Sequence, residues 1–346
     1  MKTVSKWKNE KPQIPTASVW LLNDLAEYSG KQDLFTKQTP QKLKALREHA
    51  LIESAVSSNR IEGVEVDQKR IGTVLFGKGH LQDRDEEEVR GYQKALSWIH
   101  EKGAKIPLSV ETVLKLHKMT RPNLWDSGTF KKDDGEIIEK HPDGRVTLRF
   151  KPLSAKETPQ AMARLCTDTV QLLQGREVPP LILLAAFNLD FLCIHPFRDG
   201  NGRVSRLLIL LLMYHLGFEA GRYISLERII EQSKERYYDT LRESSQAWHE
   251  AKHNPWPYIN YLLYTLKELY QEFEERVGQI EAPRGEKTAL IETAIRHLET
   301  FSVSDIQRAC PGVSIDLIRR TLKVMQDKNE VKCTRKGRSA KWMRVN

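Results

Sequence analysis

The chain has 346 residues, a formal charge of +9 and a pI near 9.2. Apolar residues make up 40% and charged residues 29%, a balance that excludes a disordered chain and a membrane-embedded bundle. At roughly 150 residues per domain, the length predicts two domains or three. The longest nearly unbroken apolar run, Leu207 to Leu216, is too short to span a bilayer.

The positive charge is unevenly placed. Residues 284–346 hold 14 Lys and Arg against 7 Asp and Glu, a net of +7, while the rest of the chain holds 41 against 39. That asymmetry predicts a separate C-terminal domain with its own partner. Met1 to Pro15 is polar, so no secretory signal is expected. Cys166, Cys193, Cys310 and Cys333 form no C-x-x-C pair and no His cluster accompanies them. Reduced thiols in a cytoplasmic protein are the expectation, without structural zinc or a disulfide framework.

In chain order, residues 1–40 start loosely, with a short helical pattern at Val19, Leu22, Leu25 and Ala26. A helix begins at Pro40 with Thr39 as N-cap, and Gly63 suits the position that ends it. Helices follow over 86–102, closed by Gly103, and over 109–119 with Ser109 as N-cap. Ile137-Ile138 and Arg145–Phe150 read as strands around a Pro142-Asp143-Gly144 turn, one β-hairpin in a helical protein. Helices resume over 155–175 and 180–194, the second apolar almost all round and therefore central. After a polar loop, helices are predicted over 203–216, 226–246 and 257–277, with a linker over 277–287.

The loop between the two apolar helices reads His195-Pro196-Phe197-Arg198-Asp199-Gly200-Asn201-Gly202-Arg203-Val204-Ser205-Arg206. Gly200 and Gly202 allow positive φ and close approach of a ligand to the backbone. Backbone N–H groups at the start of the following helix make an anion nest. Arg203 and Arg206 share a face of its first turn, where cations oppose the helix dipole unless an anion sits there. Asp199 is a hard oxygen ligand suited to Mg²⁺ on phosphates. His195 is the loop side chain whose ordinary pKa suits a general base.

At these residues the chain resembles the Fic family, whose motif H-x-F-x-(D/E)-G-N-G-R-x-x-R it matches at every fixed position. The resemblance covers roughly residues 10–275 and implies transfer of AMP from ATP to a Ser, Thr or Tyr hydroxyl of a protein target, with release of pyrophosphate. It implies that His195 deprotonates the hydroxyl, Phe197 anchors the loop and Asp199 holds Mg²⁺. Gly200, Asn201, Gly202, Val204 and Ser205 would line the ATP site, with Arg203 on the β-phosphate and Arg206 on the γ-phosphate. Tyr237 and Tyr238 resemble the family's adenine-side pair; core aromatics are the other reading. The hairpin resembles the flap that holds a target peptide by strand addition. Related Doc-like kinases carry a Lys near the place of Gly202, so phosphorylation is disfavoured.

Ser58-Asn59-Arg60-Ile61-Glu62-Gly63 matches the inhibitory pattern (S/T)-x-x-x-E-(G/N) of many Fic proteins. Ser58 and Glu62 carry it. An acidic side chain in the last turn of a helix opposes the dipole and needs a cation, for which Arg206 is the candidate. Such a pair would deny Arg206 to the γ-phosphate. In some relatives the same Glu serves AMP removal, which stays open here.

Residues 286–346 read as helices over 288–298, 303–309 and 315–327 followed by two strands around Lys336-Gly337-Arg338-Ser339. This resembles a winged helix. Arg319, Arg320 and Lys323 on its third helix, with Arg335, Lys336 and Arg338 on the wing, are the candidate DNA contacts. A protein–protein module is the other reading.

The expected fold is mainly α: a Fic-like helical bundle with a β-hairpin flap plus a C-terminal winged-helix domain. The expected division is an N-terminal helical region over 1–80, a catalytic core over 81–277, a linker over 278–285 and the tail over 286–346. The expected function is an adenylyltransferase using ATP and Mg²⁺, braked by Glu62. A DNA-binding regulator that senses nucleotide through its Fic-like part is the alternative. Homodimer formation stays open, and no membrane partner is expected.

Overall fold

The computed structural model describes every residue apart from 1, 37–39, 78–79, 141–144, 279–287, 289–290, 293, 296–297, 299, 311–312, 336–339 and 346. The chain divides into two compact units: residues 1–34 with 47–273, and residues 35–46 with 274–346.

The first unit is helical. It contains α1 (Val4–Trp7), most of α2 (Thr16–Thr36) and of α3 (Pro40–Ile61), α4 (Ile71–Phe76), α5 (Arg84–Lys102) and α6 (Val110–Thr120). The hairpin β1 (Ile137–Lys140) and β2 (Val146–Phe150) follows, then α7 (Thr158–Gly175), α8 (Pro180–Ile194) and α9 (Asn201–His215). It ends with α10 (Leu226–Gln232), α11 (Lys234–Ser245) and most of α12 (Trp256–Gly278). No helix among the described residues is long and apolar enough to cross a membrane.

The axis of the unit is α8. Pro180 starts it with a preset φ and no amide to satisfy. Along its length every side chain except Pro180 and Leu192 is buried. At roughly 1.5–3 kcal/mol per large apolar side chain, this burial anchors the helix firmly. Two polar residues inside it organise its neighbours. Asn188 donates to Ser205 O (2.9 Å) in α9 and accepts from the Tyr258 hydroxyl (2.6 Å) in α12. Asp190 accepts from Val4 N (2.9 Å), the Thr3 hydroxyl (2.6 Å) and Trp248 Nε1 (2.7 Å). A buried carboxylate is tolerated because these donors replace water. The same bonds cap the four-residue α1, which the loose sequence of residues 1–40 did not reveal.

Other departures have local causes. The predicted helix 226–246 is two helices broken at Ser233, whose hydroxyl turns to Ile229 O (3.0 Å) and to the Tyr261 hydroxyl (2.8 Å). Gly103 does not close α5 with a left-handed turn. Its φ is −42°, the chain runs on into a 3-10 turn over Gly103–Lys105, and the glycine is needed because a Cβ would lie 2.7 Å from the Tyr214 ring. Ser109 caps α6 as expected, through Thr112 N (3.3 Å). The hairpin stands at the predicted place, with Ile138 opposite Leu148 and Lys140 opposite Val146. Its turn, Pro142-Asp143-Gly144, lies outside the described residues, as does Thr39.

In the second unit, β3 (Thr300–Ser302), α13 (Val303–Ala309), α14 (Ile315–Asp327), β4 (Val331–Arg335) and β5 (Lys341–Arg344) surround a core that includes Ile306, Ile318, Leu322 and Phe301. The sheet is three-stranded and antiparallel in the order β3-β5-β4, one strand more than the sequence suggested. Phe301 makes the difference: buried beside α13, it carries residues 300–302 against β5. Ser302 and Asp305 form a reciprocal capping box that starts α13. Part of the predicted 288–298 helix lies outside the described residues; residues 288, 291, 292, 294 and 295 are helical.

Candidate active site

The loop after α8 is held in a single shape by buried groups. His195 ends α8 in the left-handed region (φ 50°), its N–H bonded to Phe191 O (2.9 Å). Lys131 secures the same turn, donating Nζ to Ile194 O (3.0 Å) and N–H to Pro196 O (2.9 Å). Phe197 is buried, with its ring stacked on His117 at 3.8 Å and 2°. Asn201 closes the loop on itself: Oδ1 accepts from Phe197 N (2.9 Å) and Nδ2 donates to Phe197 O (2.8 Å).

His117 fixes both ends of that arrangement. Gly128 N–H donates to its Nδ1 (3.0 Å), so Nε2 carries the proton and donates to Asp199 O (3.1 Å). Burial pushes this imidazole down to about 4, so it is neutral at pH 7. Gly200 follows with φ 84°, a conformation that favours glycine, and becomes the N-cap of α9.

Gly202 departs from expectation. It lies inside α9 and has no positive φ. Its lack of a side chain serves space: a Cβ there would run into Glu62 Oε1 and lie 3.2 Å from Arg206 Nη1.

His195 keeps one ring nitrogen without a proton. Its Nδ1 lies 3.3 Å from Leu192 O; a carbonyl only accepts, so Nδ1 carries the hydrogen and Nε2 keeps its lone pair. Burial, reinforced by the Lys131 cation, pushes the imidazole down to about 4. It borders two cavities. One, about 300 Å³, is bordered by Glu62, Gly202, Tyr238, Leu192 and hairpin residues Ile138 and Arg149. The other, about 470 Å³, is bordered by Trp125, Lys131, Asp134, Phe197 and Arg198.

Both arginines of α9 are buried and engaged. Arg206 donates Nε to the Ser58 hydroxyl (2.9 Å) and Nη2 to Ser58 O and Glu62 Oε1 (both 2.8 Å). Burial alone would lower its pKa, but the Glu62 carboxylate outweighs that and holds it above its ordinary value. Its Nη1 is buried without a hydrogen-bond partner. Arg203 donates Nη1 to Glu88 and to Asn59 Oδ1 (3.1 Å). Val204 and Ser205 are buried in α9, the Ser205 hydroxyl donating to Gly202 O (2.9 Å).

Glu62 follows the last residue of α3, where Gly63 (φ 82°) turns the chain and Val64 N–H returns to Asn59 O (3.0 Å). Asp199 is half-exposed at the carboxylate and lies 2.8 Å from Arg121. Burial works against its charge, but Arg121 and Arg203 hold its pKa below the usual range. One carboxylate of this kind fits a divalent ion that arrives on phosphates, since Mg²⁺ takes few protein ligands there. Among the described residues no cluster of three or more His, Cys, Asp or Glu could cage a metal by itself.

Tyr237 is buried among Tyr258 and Tyr261, whereas Tyr238 lines the first cavity under the Arg149 guanidinium (4.9 Å). Tyr237 also borders this cavity, so both rings of the pair face it. Sequence reasoning missed Glu88, His117, Arg121 and Lys131, which α5, α6 and the segment before the hairpin bring to the loop. For Glu88 and His117 the sequence signal is a polar residue on a buried helix face; Arg121, at a helix end, and Lys131, in a loop, carry none. In the second unit, Arg319, Arg320 and Lys323 are exposed on α14; Lys336, Arg338 and the Arg335 side chain lie outside the described residues.

Residues 107–213 match the Fic/DOC family. Among solved structures, the chain is similar to a Fic family protein from Desulfovibrio desulfuricans G20 (22% identity, TM-score 0.63, covering 97% of this chain and 98% of that one). It is also similar to a Fic domain containing signaling protein from Bacteroides thetaiotaomicron VPI-5482 (22%, TM-score 0.63, 75% and 100%). Fic-1 from C. elegans is similar at 18% identity (TM-score 0.57, 76% and 74%). These likenesses concern the fold. The His195–Arg206 loop lies within the residues that match the Fic/DOC family, 107–213.

Proposed function

We propose that this chain transfers AMP from ATP to a Ser, Thr or Tyr hydroxyl of a protein target. In this reading the hydroxyl oxygen attacks the α-phosphorus, the bond to the β-phosphate oxygen breaks, and pyrophosphate leaves. His195 Nε2 takes the hydroxyl proton. The observation that carries the reading is the position of His195 bordering two cavities, with a free Nε2 lone pair and a neutral ring. The first cavity suits the nucleotide, with Tyr238 toward the base and the N-terminal amides of α9 toward the phosphates. The second suits the target side chain. Positioning and charge neutralisation supply most of the rate, as in other phosphoryl-group transfers.

Arg203 and Arg206 would take the β- and γ-phosphates, and Asp199 would hold the Mg²⁺ that neutralises phosphate charge. Glu62 then acts as a brake. It occupies Arg206 at 2.8 Å and stands over Gly202, where the phosphates would pass. With Ser58 it satisfies most of the buried guanidinium, so the braked state is internally consistent. The tail, through exposed Arg319, Arg320 and Lys323, is proposed to contact the phosphates of duplex DNA.

The test is product analysis with a protein substrate. Pyrophosphate should appear in step with modified protein and disappear in His195→Ala. ADP as the stoichiometric product would sink the assignment.

A further inference from the structure

Asp199 sits in a ring of guanidiniums that the loop motif alone does not contain. Arg121 Nη1 is 2.8 Å from Asp199 Oδ2, and Arg84 and Arg203 each place an Nη2 3.8 Å from the carboxylate. All three arginines converge on buried Glu88, at 2.8 Å from Arg84 and 2.7 Å from Arg121, with Arg203 on its other oxygen. Arg121 is the most constrained. It is the C-cap of α6, its N–H bonded to His117 O (3.0 Å), and a Cβ at Gly200 would lie 3.3 Å from its Cγ and Cδ. Its stem therefore lies along the loop, and one nitrogen serves both carboxylates. Three guanidiniums against Glu88 and Asp199 leave a net of +1 around the one carboxylate offered to a metal.

We propose that Arg121 guards Asp199, so that the site refuses a divalent ion alone and accepts it only together with a polyphosphate. The inference rests on reading Asp199 as the metal carboxylate. A bare dication approaching Asp199 meets a fixed positive charge within ion-pair distance, and the two repel. A metal–polyphosphate complex is net negative and meets attraction from the same group. Arg121 does not touch the reacting atoms; it is a positioning residue that sets which form of the metal enters. Glu88 makes the arrangement rigid, because swinging Arg121 away would leave a buried carboxylate short of a partner.

The test uses the full chain, with Mn²⁺ as the probe and its paramagnetic resonance signal as the readout, without nucleotide. Wild-type protein should leave submillimolar Mn²⁺ free. Arg121→Gln should bind Mn²⁺ at least about tenfold more tightly, and adding Asp199→Asn should remove that binding. Arg84→Gln, at the exposed rim, should act in the same direction with smaller size, and it serves if Arg121→Gln fails to fold. Tight Mn²⁺ binding by wild type, or no gain in either arginine variant, overturns the proposal. Because this readout involves no transfer, it is independent of whether AMP is the group moved.

Discussion

The two units of this chain use positive charge in opposite ways. In the helical unit, Arg203, Arg206 and Arg121 are buried, and each is paired with a carboxylate. In the C-terminal unit, Arg319, Arg320 and Lys323 stand exposed on one helix. The first unit is nearly neutral overall, and its guanidiniums are gathered by placement: three helices bring them to one glycine-bearing loop. The second carries most of the net charge. Net charge therefore points to the tail, while the proposed chemistry lies where the charges almost cancel.

Substitutions break that comparison in order of size. His195→Ala should lower AMP transfer by roughly 10²–10⁴-fold while leaving thermal unfolding nearly unchanged, since its loss removes the base and little packing. Glu62→Gly should raise transfer by about tenfold or more, yet lower unfolding free energy in urea by about 1–3 kcal/mol, because Arg206 loses its buried counter-charge. A variant that is activated without being destabilised would show that the ion pair is not the brake.

Salt should separate the units. Binding of duplex DNA by the full chain should weaken steeply with ionic strength, and Arg319→Ala with Arg320→Ala should reduce the log–log slope by about one per lost phosphate contact. ATP affinity should respond far less, because the site's charges are enclosed. No DNA shift even at low salt would remove nucleic acid as the tail's partner.

The smallest effect concerns pH. With His195 held down to about 4 by burial, transfer by the Glu62→Gly protein should be flat between about pH 6.5 and 8 and fall only well below that. The stability sign follows from the same shift. The unfolded chain takes up protons below about pH 6.5 that folded His195 and His117 do not, so stability should decline as pH falls from there toward 4. An acid limb of activity centred near pH 6.5 would contradict the buried, neutral base.

Much of the first unit was legible because its signals are local. Pro180, the all-apolar 181–194 stretch, Ser109 and Gly63 mark helix ends by backbone chemistry that needs no partner. The His195–Arg206 loop was legible because its residue types are crowded into a short segment. What stayed hidden was long-range. Asp190 capping α1 joins residues 186 apart in sequence, and Glu88 meets Arg203 across 115. Gly202 was read as a conformational need and serves a steric one, which only the position of Glu62 reveals. Ser233 breaks a helix whose periodicity runs on, because its hydroxyl finds Tyr261.

In the proposed function this fold moves AMP and Glu62 restrains it. The most direct measurement gives the Glu62→Gly protein either α-labelled or γ-labelled ATP with a protein target. Label should enter protein from the α position alone, and more strongly than with wild type. Label from the γ position, or equal α-transfer by wild type and Glu62→Gly, would contradict the account.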